Sequence, residues 1–269
     1  MDGLSIAAGV VGIAVPALHC VRLLVDDLKD IVNAPDAIKL LKDNLLSIDN
    51  SLTSLQIISG PEWESLGESI ADQTKSAMEL CSNSCDRFRT VLVRWTRHSS
   101  DGKLSWQDRA MVGFFKQGQI KSMSKQLQNC KITLTSVVSI ATLHSSLNQT
   151  HTAEDMTQMI STKETEVANA IEVTHKQLAE VNAKLGALQL ARQDEGETEA
   201  DRASAISQAA VEQTALDASG KLLQELLEKT KTTAANAMRN QGETRNIFGN
   251  LGKGFMIGNN SGAINSNFS

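Results

Sequence analysis

An all-α fold, an antiparallel helical bundle with long additional helices and a disordered, amyloid-prone tail, is predicted by three features of the sequence. The 269 residues hold three prolines and nine aromatics, none of them Tyr, which disfavours a β-sandwich with its many turns. Apolar residues recur at spacings of three and four over long stretches instead of alternating. Breaks such as Asn33-Ala-Pro35, Gly60-Pro61 and Ser99-Ser-Asp-Gly102 fall between those stretches. The length allows one large domain plus a tail.

Residues 3–21, GLSIAAGVVGIAVPALHCV, carry no charged side chain. As a helix they span about 28 Å, close to a hydrocarbon core of about 30 Å. Asp2 stands where a secretory signal has Lys or Arg, and Gly3 is off the myristoylation position. The segment is built of Ala, Gly and Val with Pro16 inside it, a poor permanent anchor. Ser5/Gly9 and Ala8/Gly12 are small pairs four apart, a spacing that lets helices approach closely in a bilayer. Two readings stand together: a buried helix in the resting protein, and a helix that inserts and oligomerises once released.

Residues 22–32 extend this helix to the Asn33-Ala-Pro35 break. Pro35-Asp36 opens the next helix, with an acidic first turn. Its stripe runs Ile38, Leu41, Leu45, Ile48, Leu52, Leu55, Ile58 and stops at Gly60-Pro61. Trp63, Leu66, Ile70, Ala77, Leu80, Phe88, Val91 and Trp95 predict one long third helix reaching about His98. After a loop, Ser105-x-x-Asp108 caps a short helix bearing Trp106, Met111, Phe114 and Phe115. A longer helix with Ile120, Met123, Leu127, Leu134, Val137, Val138 and Ala141 ends near Ser146. Thr152-x-x-Asp155 caps a further one, with Met156, Ile160, Val167, Ile171, Leu178, Leu185 and Leu188 on one side. An acidic break, Gln193 to Glu199, precedes an Ala-rich final helix over about Asp201–Met238.

The character changes after Arg245. Residues 246–269 hold six Asn, five Gly, three Phe and one charge, Lys253. Asn and Gly disfavour helix. The apolar runs Phe255-Met-Ile257 and Ala263-Ile264 between Asn residues fit a cross-β segment in which side-chain amides ladder. In a lone monomer the expectation is a disordered tail.

Charge is uneven: the net formal charge is −8 over residues 1–86, +8 over 87–131 and −5 over the remainder. The overall −5 argues against nucleic acid as a partner. The basic middle reads either as solvated helix faces or as a surface for anionic lipid headgroups, worth roughly 1 kcal/mol per well-placed cation. Candidate headgroup contacts are Arg87, Arg94, Arg97, Lys103, Lys116, Lys121 and Lys125. Cys20, Cys81, Cys85 and Cys130 are too sparse for a disulfide framework and fit a reducing compartment. Cys81 and Cys85 lie four apart on one helix face but read as buried structural thiols. No phosphate-binding glycine loop, metal-ligand set or nucleophile-base pair is present, so neither a catalytic residue nor a cofactor is expected, and the chain does not read as an enzyme.

The opening MDGLSIAAGVVGIAVPAL, Pro35-Asp-Ala-Ile-Lys-Leu-Leu41, and Leu104-Ser-Trp-Gln-Asp-Arg109 running into Gly113-Phe-Phe115 resemble the fungal HeLo-like (HELL) domain. Asn129-Cys-Lys-Ile-Thr-Leu134 and Ile140-Ala-Thr-Leu143 continue the likeness. That domain is related to the HeLo domain of the HET-S cell-death protein and to the four-helix executioner domain of the mixed-lineage kinase-like necroptosis effector. Phe255-Met-Ile-Gly258 with Asn259-Asn-Ser-Gly262 is similar to the pseudo-palindromic PP motif, akin to the RHIM core, and the whole resembles the HELLP architecture.

The resemblance implies a HeLo-like bundle over 1–215, a helical connector over 216–245 and an amyloid signalling motif over 246–269. It implies a cell-death executioner, cytoplasmic at rest and at the plasma membrane once active. A NOD-like receptor bearing a matching motif would template the tail, and the chain would then self-assemble on anionic lipids. The expected insertion residues are Leu4, Ile6, Gly9, Val10, Gly12, Ile13 and Val15. The expected motif residues are Phe255, Met256, Ile257, Gly258, Asn259, Asn260, Gly262, Ile264 and Asn265. The alternatives are a non-lytic interaction or adaptor module of the receptor system, and a coiled-coil scaffold built from residues 152–238.

Overall fold

The structure is a computed structural model that describes residues 3–29, 31–32, 36–96, 104–105, 113–147, 152–190 and 199–247. Seven helices occur among them: α1 (Gly3–Lys29), α2 (Asp36–Ile57), α3 (Gly60–Leu66), α4 (Glu68–Thr96), α5 (Gly113–Leu147), α6 (Ala153–Leu190) and α7 (Glu199–Ile247). The protein is all-α. Two residues after α1, β1 (Ile31–Val32), pair in parallel with β2 (Leu104–Ser105). The residues taken from sequence as the end of the first helix thus tie its exit to the segment after α4.

Side-chain ties set the directions. Arg22 reaches Asp49, making α1 and α2 an antiparallel hairpin. Cys20 meets Ser82 and Asp27 meets Arg89, so α1 runs parallel to α4. In the second half, Lys125 pairs with Glu180 and Ser139 with Glu166, setting α5 against α6. Ser122 bonds Glu212 and Asn129 bonds Ser219, both 90 residues apart, so α7 returns parallel to α5.

One apolar core joins both halves. Val10, Val21 and Leu24 of α1 meet Leu41, Leu45, Ile48 and Leu52 of α2, Met78 of α4, and Leu127 and Leu134 of α5 in a single cluster. Each fully buried Val, Leu or Ile contributes about 1.5–3 kcal/mol. Ile160 and Val167 of α6 and Leu222, Leu223 and Leu226 of α7 belong to the same cluster. The last two long helices therefore pack on the bundle. Further along their hairpin, Val181, Ala209 and Leu216 form a smaller core of their own.

The single third helix expected from sequence is two helices. Gly67 adopts φ 98°, a left-handed conformation open to glycine, and its N–H closes onto the Trp63 carbonyl at 3.0 Å. α3 is fixed from the other side as well: Pro61 sits in its first turn, and Glu62 accepts the Ser59 N–H at 2.7 Å. The short helix expected before α5 is absent as a separate element over its described part, since Phe114 and Phe115 already lie in α5. The final helix runs from Glu199 to Ile247, beyond both expected ends, and is unbroken at residue 216.

Candidate functional site

The chemistry of α1 is set by what it buries and what it leaves outside. Ile6, Val10, Ala14, Ala17 and Leu18 are buried against the bundle. Ala8, Gly12, Val15 and Pro16 are exposed, and Val15 keeps 53% of its surface open. Between residues 3 and 21 that outer face has no formal charge to solvate it. The best 18-residue window within Ser5–Lys29 has a mean hydropathy of 1.9 and is 39% buried. The helix is long and apolar enough to cross a membrane, a property it shares with core helices of soluble proteins.

The C-terminal part of α1 carries ion pairs and hydrogen bonds to neighbouring helices. Arg22 donates to Asp49 at 2.6 Å, and that carboxylate raises the guanidinium pKa. Arg89 donates to Asp27 at 2.6 Å and is raised by it in the same way. Ser82 donates to the Cys20 sulfur at 3.1 Å, while Cys20 lies 3.6 Å from Asp86. Residues 6–18 meet the core through the apolar side chains just named. Pro16, which has no N–H for the Gly12 carbonyl, lies within this stretch. At Gly9, half-buried, an added Cβ would come 3.3 Å from Cε and Nζ of Lys75, so the lysine stem lies over the glycine.

Of the predicted insertion residues, Ile6 and Val10 face the core, Gly9 and Ile13 are half-buried, and Gly12 and Val15 face outward. Leu4 lies in α1. The predicted headgroup cations divide similarly. Arg87 is exposed on α4, beside a groove with Phe88, Met123 and Gln208. Lys121 is exposed on α5, whereas Lys125 is bound to Glu180 at 2.5 Å and so is partly neutralised. The hydrogen bond from Lys125 holds the Glu180 carboxyl below its ordinary pKa, with help from Lys176 and Lys121. Lys176, which the sequence reading passed over, completes this cluster from α6. Arg94 and Lys116 lie in α4 and α5. Arg97 and Lys103 lie outside the described residues, as do Phe255, Met256, Ile257, Gly258, Asn259, Asn260, Gly262, Ile264 and Asn265.

Where the halves join, polar groups are buried in pairs. Asn129 donates to Ser219 at 2.7 Å and accepts from Thr174 at 3.4 Å. Burial, and then the charge of Lys229, lowers the pKa of His144, whose Nε2 lies 3.3 Å from Thr233 Oγ1. Contact with Cys81 and then burial push the Cys130 thiol well above its usual pKa, which suits a structural role. Among the described residues, no group of three His, Cys, Asp or Glu side chains is arranged to hold a metal ion.

Fold and site together define a class: a helical bundle that holds an apolar, membrane-length N-terminal helix partly in its core. The chain belongs to the pigment biosynthesis cluster protein PigL N-terminal family, whose model matches residues 1–237. No curated protein and no solved structure matches it.

Proposed function

We propose that the chain is a membrane-permeabilising cell-death executioner of the HELLP type, related to the HeLo domain of HET-S. Its trigger is a NOD-like receptor that templates the PP- or RHIM-like motif in residues 246–269. The observation that carries this reading is α1: membrane-length, uncharged over residues 3–21, and, among the described residues, joined to neighbouring helices by ion pairs at Arg22 and Asp27 near its C-terminal end. Templating clusters the chains, and the raised effective concentration turns weak contacts between released helices into an oligomer. Arg87, Lys121 and Lys176 supply a basic approach to anionic headgroups. The resting protein is cytoplasmic and the active one sits at the plasma membrane.

The test is dye release from vesicles of phosphatidylcholine and phosphatidylserine, with seeds made of the 246–269 peptide. Full-length protein leaks dye when seeded, and a chain lacking residues 1–21 does not. Equal leakage from both sinks the insertion mechanism, and seeds that have no effect sink the trigger. A non-lytic adaptor is favoured by the burial of Ile6, Val10 and Ala14 in the common core. It predicts soluble stoichiometric complexes and no leakage under any seeding.

A further inference from the structure

A groove of 680 Å³ runs between the C-terminal half of α5 and the N-terminal half of α6. Leu143 and Met159 supply its apolar part, while Thr142, Ser146, Gln158 and Thr162 bring hydroxyl and amide groups to it. Asp155 and Lys163 also line it, but Asp155 accepts from Thr152 and Lys163 is paired with Glu166 at 2.7 Å, so both charges are already partnered. Such a lining suits an uncharged extended peptide, which offers apolar side chains and a backbone needing donors and acceptors.

The geometry of α7 says which peptide is at hand. Thr233 stands beside His144, which lies between the groove-lining residues Leu143 and Ser146 of α5. From Thr233, α7 continues for 14 residues to Ile247, about 21 Å past that level. Eight residues then lead to Phe255, about 26 Å if extended. That length is enough for Phe255-Met-Ile257, flanked by Gly and Asn and lacking charge, to reach back along α7 to the groove mouth.

We propose that Phe255–Ile257 of the same chain occupies the α5–α6 groove at rest and is withheld there from templating. This rests on the reading of the tail as the signalling element and adds a resting contact that a seed must displace.

Hydrogen exchange on the full chain tests the contact without reference to fibrils. The amides of residues 255–257 exchange about fivefold or more slowly than in the isolated 246–269 peptide. Thr142→Arg or Thr162→Arg, both at exposed positions that leave the core untouched, restores the peptide rate, while Thr214→Arg on the exposed side of α7 does not. Wild-type exchange at the peptide rate overturns the proposal, as does slowing that neither groove variant relieves. Slowing that grows with protein concentration also overturns it, because the occupant is then the tail of a second copy. A peptide that never forms fibrils sinks the signalling reading alone and leaves the exchange result standing.

Discussion

Glycine 12 is exposed in mid-helix, and a Cβ there would meet nothing within 4 Å. Alanine would serve the soluble fold better, by about 1 kcal/mol. Gly12→Ala is therefore expected to raise the melting temperature. If Ala8 and Gly12 are small so that α1 can pack against copies of itself in lipid, Gly12→Leu keeps the soluble fold yet lowers seeded dye release about tenfold. Unchanged release with Leu removes that role for the glycine. His144 carries a second residue-level expectation. Its pKa is lowered in the fold by burial and then by Lys229, while the unfolded chain keeps the ordinary value near 6.5. Between those two values the unfolded state binds the proton and the folded state does not. The contribution to stability is therefore complete above about pH 6.5 and lost as pH falls towards the folded value. Melting curves from pH 7.5 down to 5.5 should show that loss, and His144→Gln, which keeps a polar partner for Thr233, should flatten it.

At the scale of elements, α1 depends on a few pins. The Arg89–Asp27 pair is about two-thirds buried on each side, at 30% and 33% side-chain exposure. Asp27→Asn costs about 1 kcal/mol of stability, but it loosens the helix that is to be released. Less seed is then expected to give half-maximal leakage, and a variant less stable but no easier to trigger would uncouple α1 from activation. Which elements were legible follows from the same forces. The α2 stripe was plain, because Ile38, Leu41, Leu45, Ile48, Leu52 and Leu55 are all buried and no glycine or proline interrupts them. The break between α3 and α4 was hidden, because Trp63, Leu66 and Ile70 keep helical spacing straight across Gly67. Periodicity reports a face, not a backbone angle. The pins themselves were beyond reach: Asp27 and Arg89 lie 62 residues apart, and nothing local marks either as the other's partner. Of the basic segment, sequence could count the cations but not see that Lys125 is matched by Glu180.

For the whole molecule the question is whether the tail acts through its chemistry or only by bringing copies together. Among the described residues, the core that seats α1 is formed by α2, α3, α4 and α5 with buried residues of α6 and α7 as far as Leu226. Removing residues 248–269 should lower the melting temperature by only a few degrees, the share that the groove contact contributes. The same truncation should abolish seeded leakage. If the tail serves as a clustering device, a drug-inducible oligomerisation module fused after Ile247 restores leakage on addition of the drug, because effective concentration is supplied by another route. Restoration by dimers alone sets a low oligomer number for the released helices, and restoration only by larger clusters sets a higher one. Should forced clustering at any size leave vesicles intact, the fibril must do more than gather copies. Release of α1 would then require a force that the ordered tail exerts on α7, transmitted through the Asn129–Ser219 contact into α5.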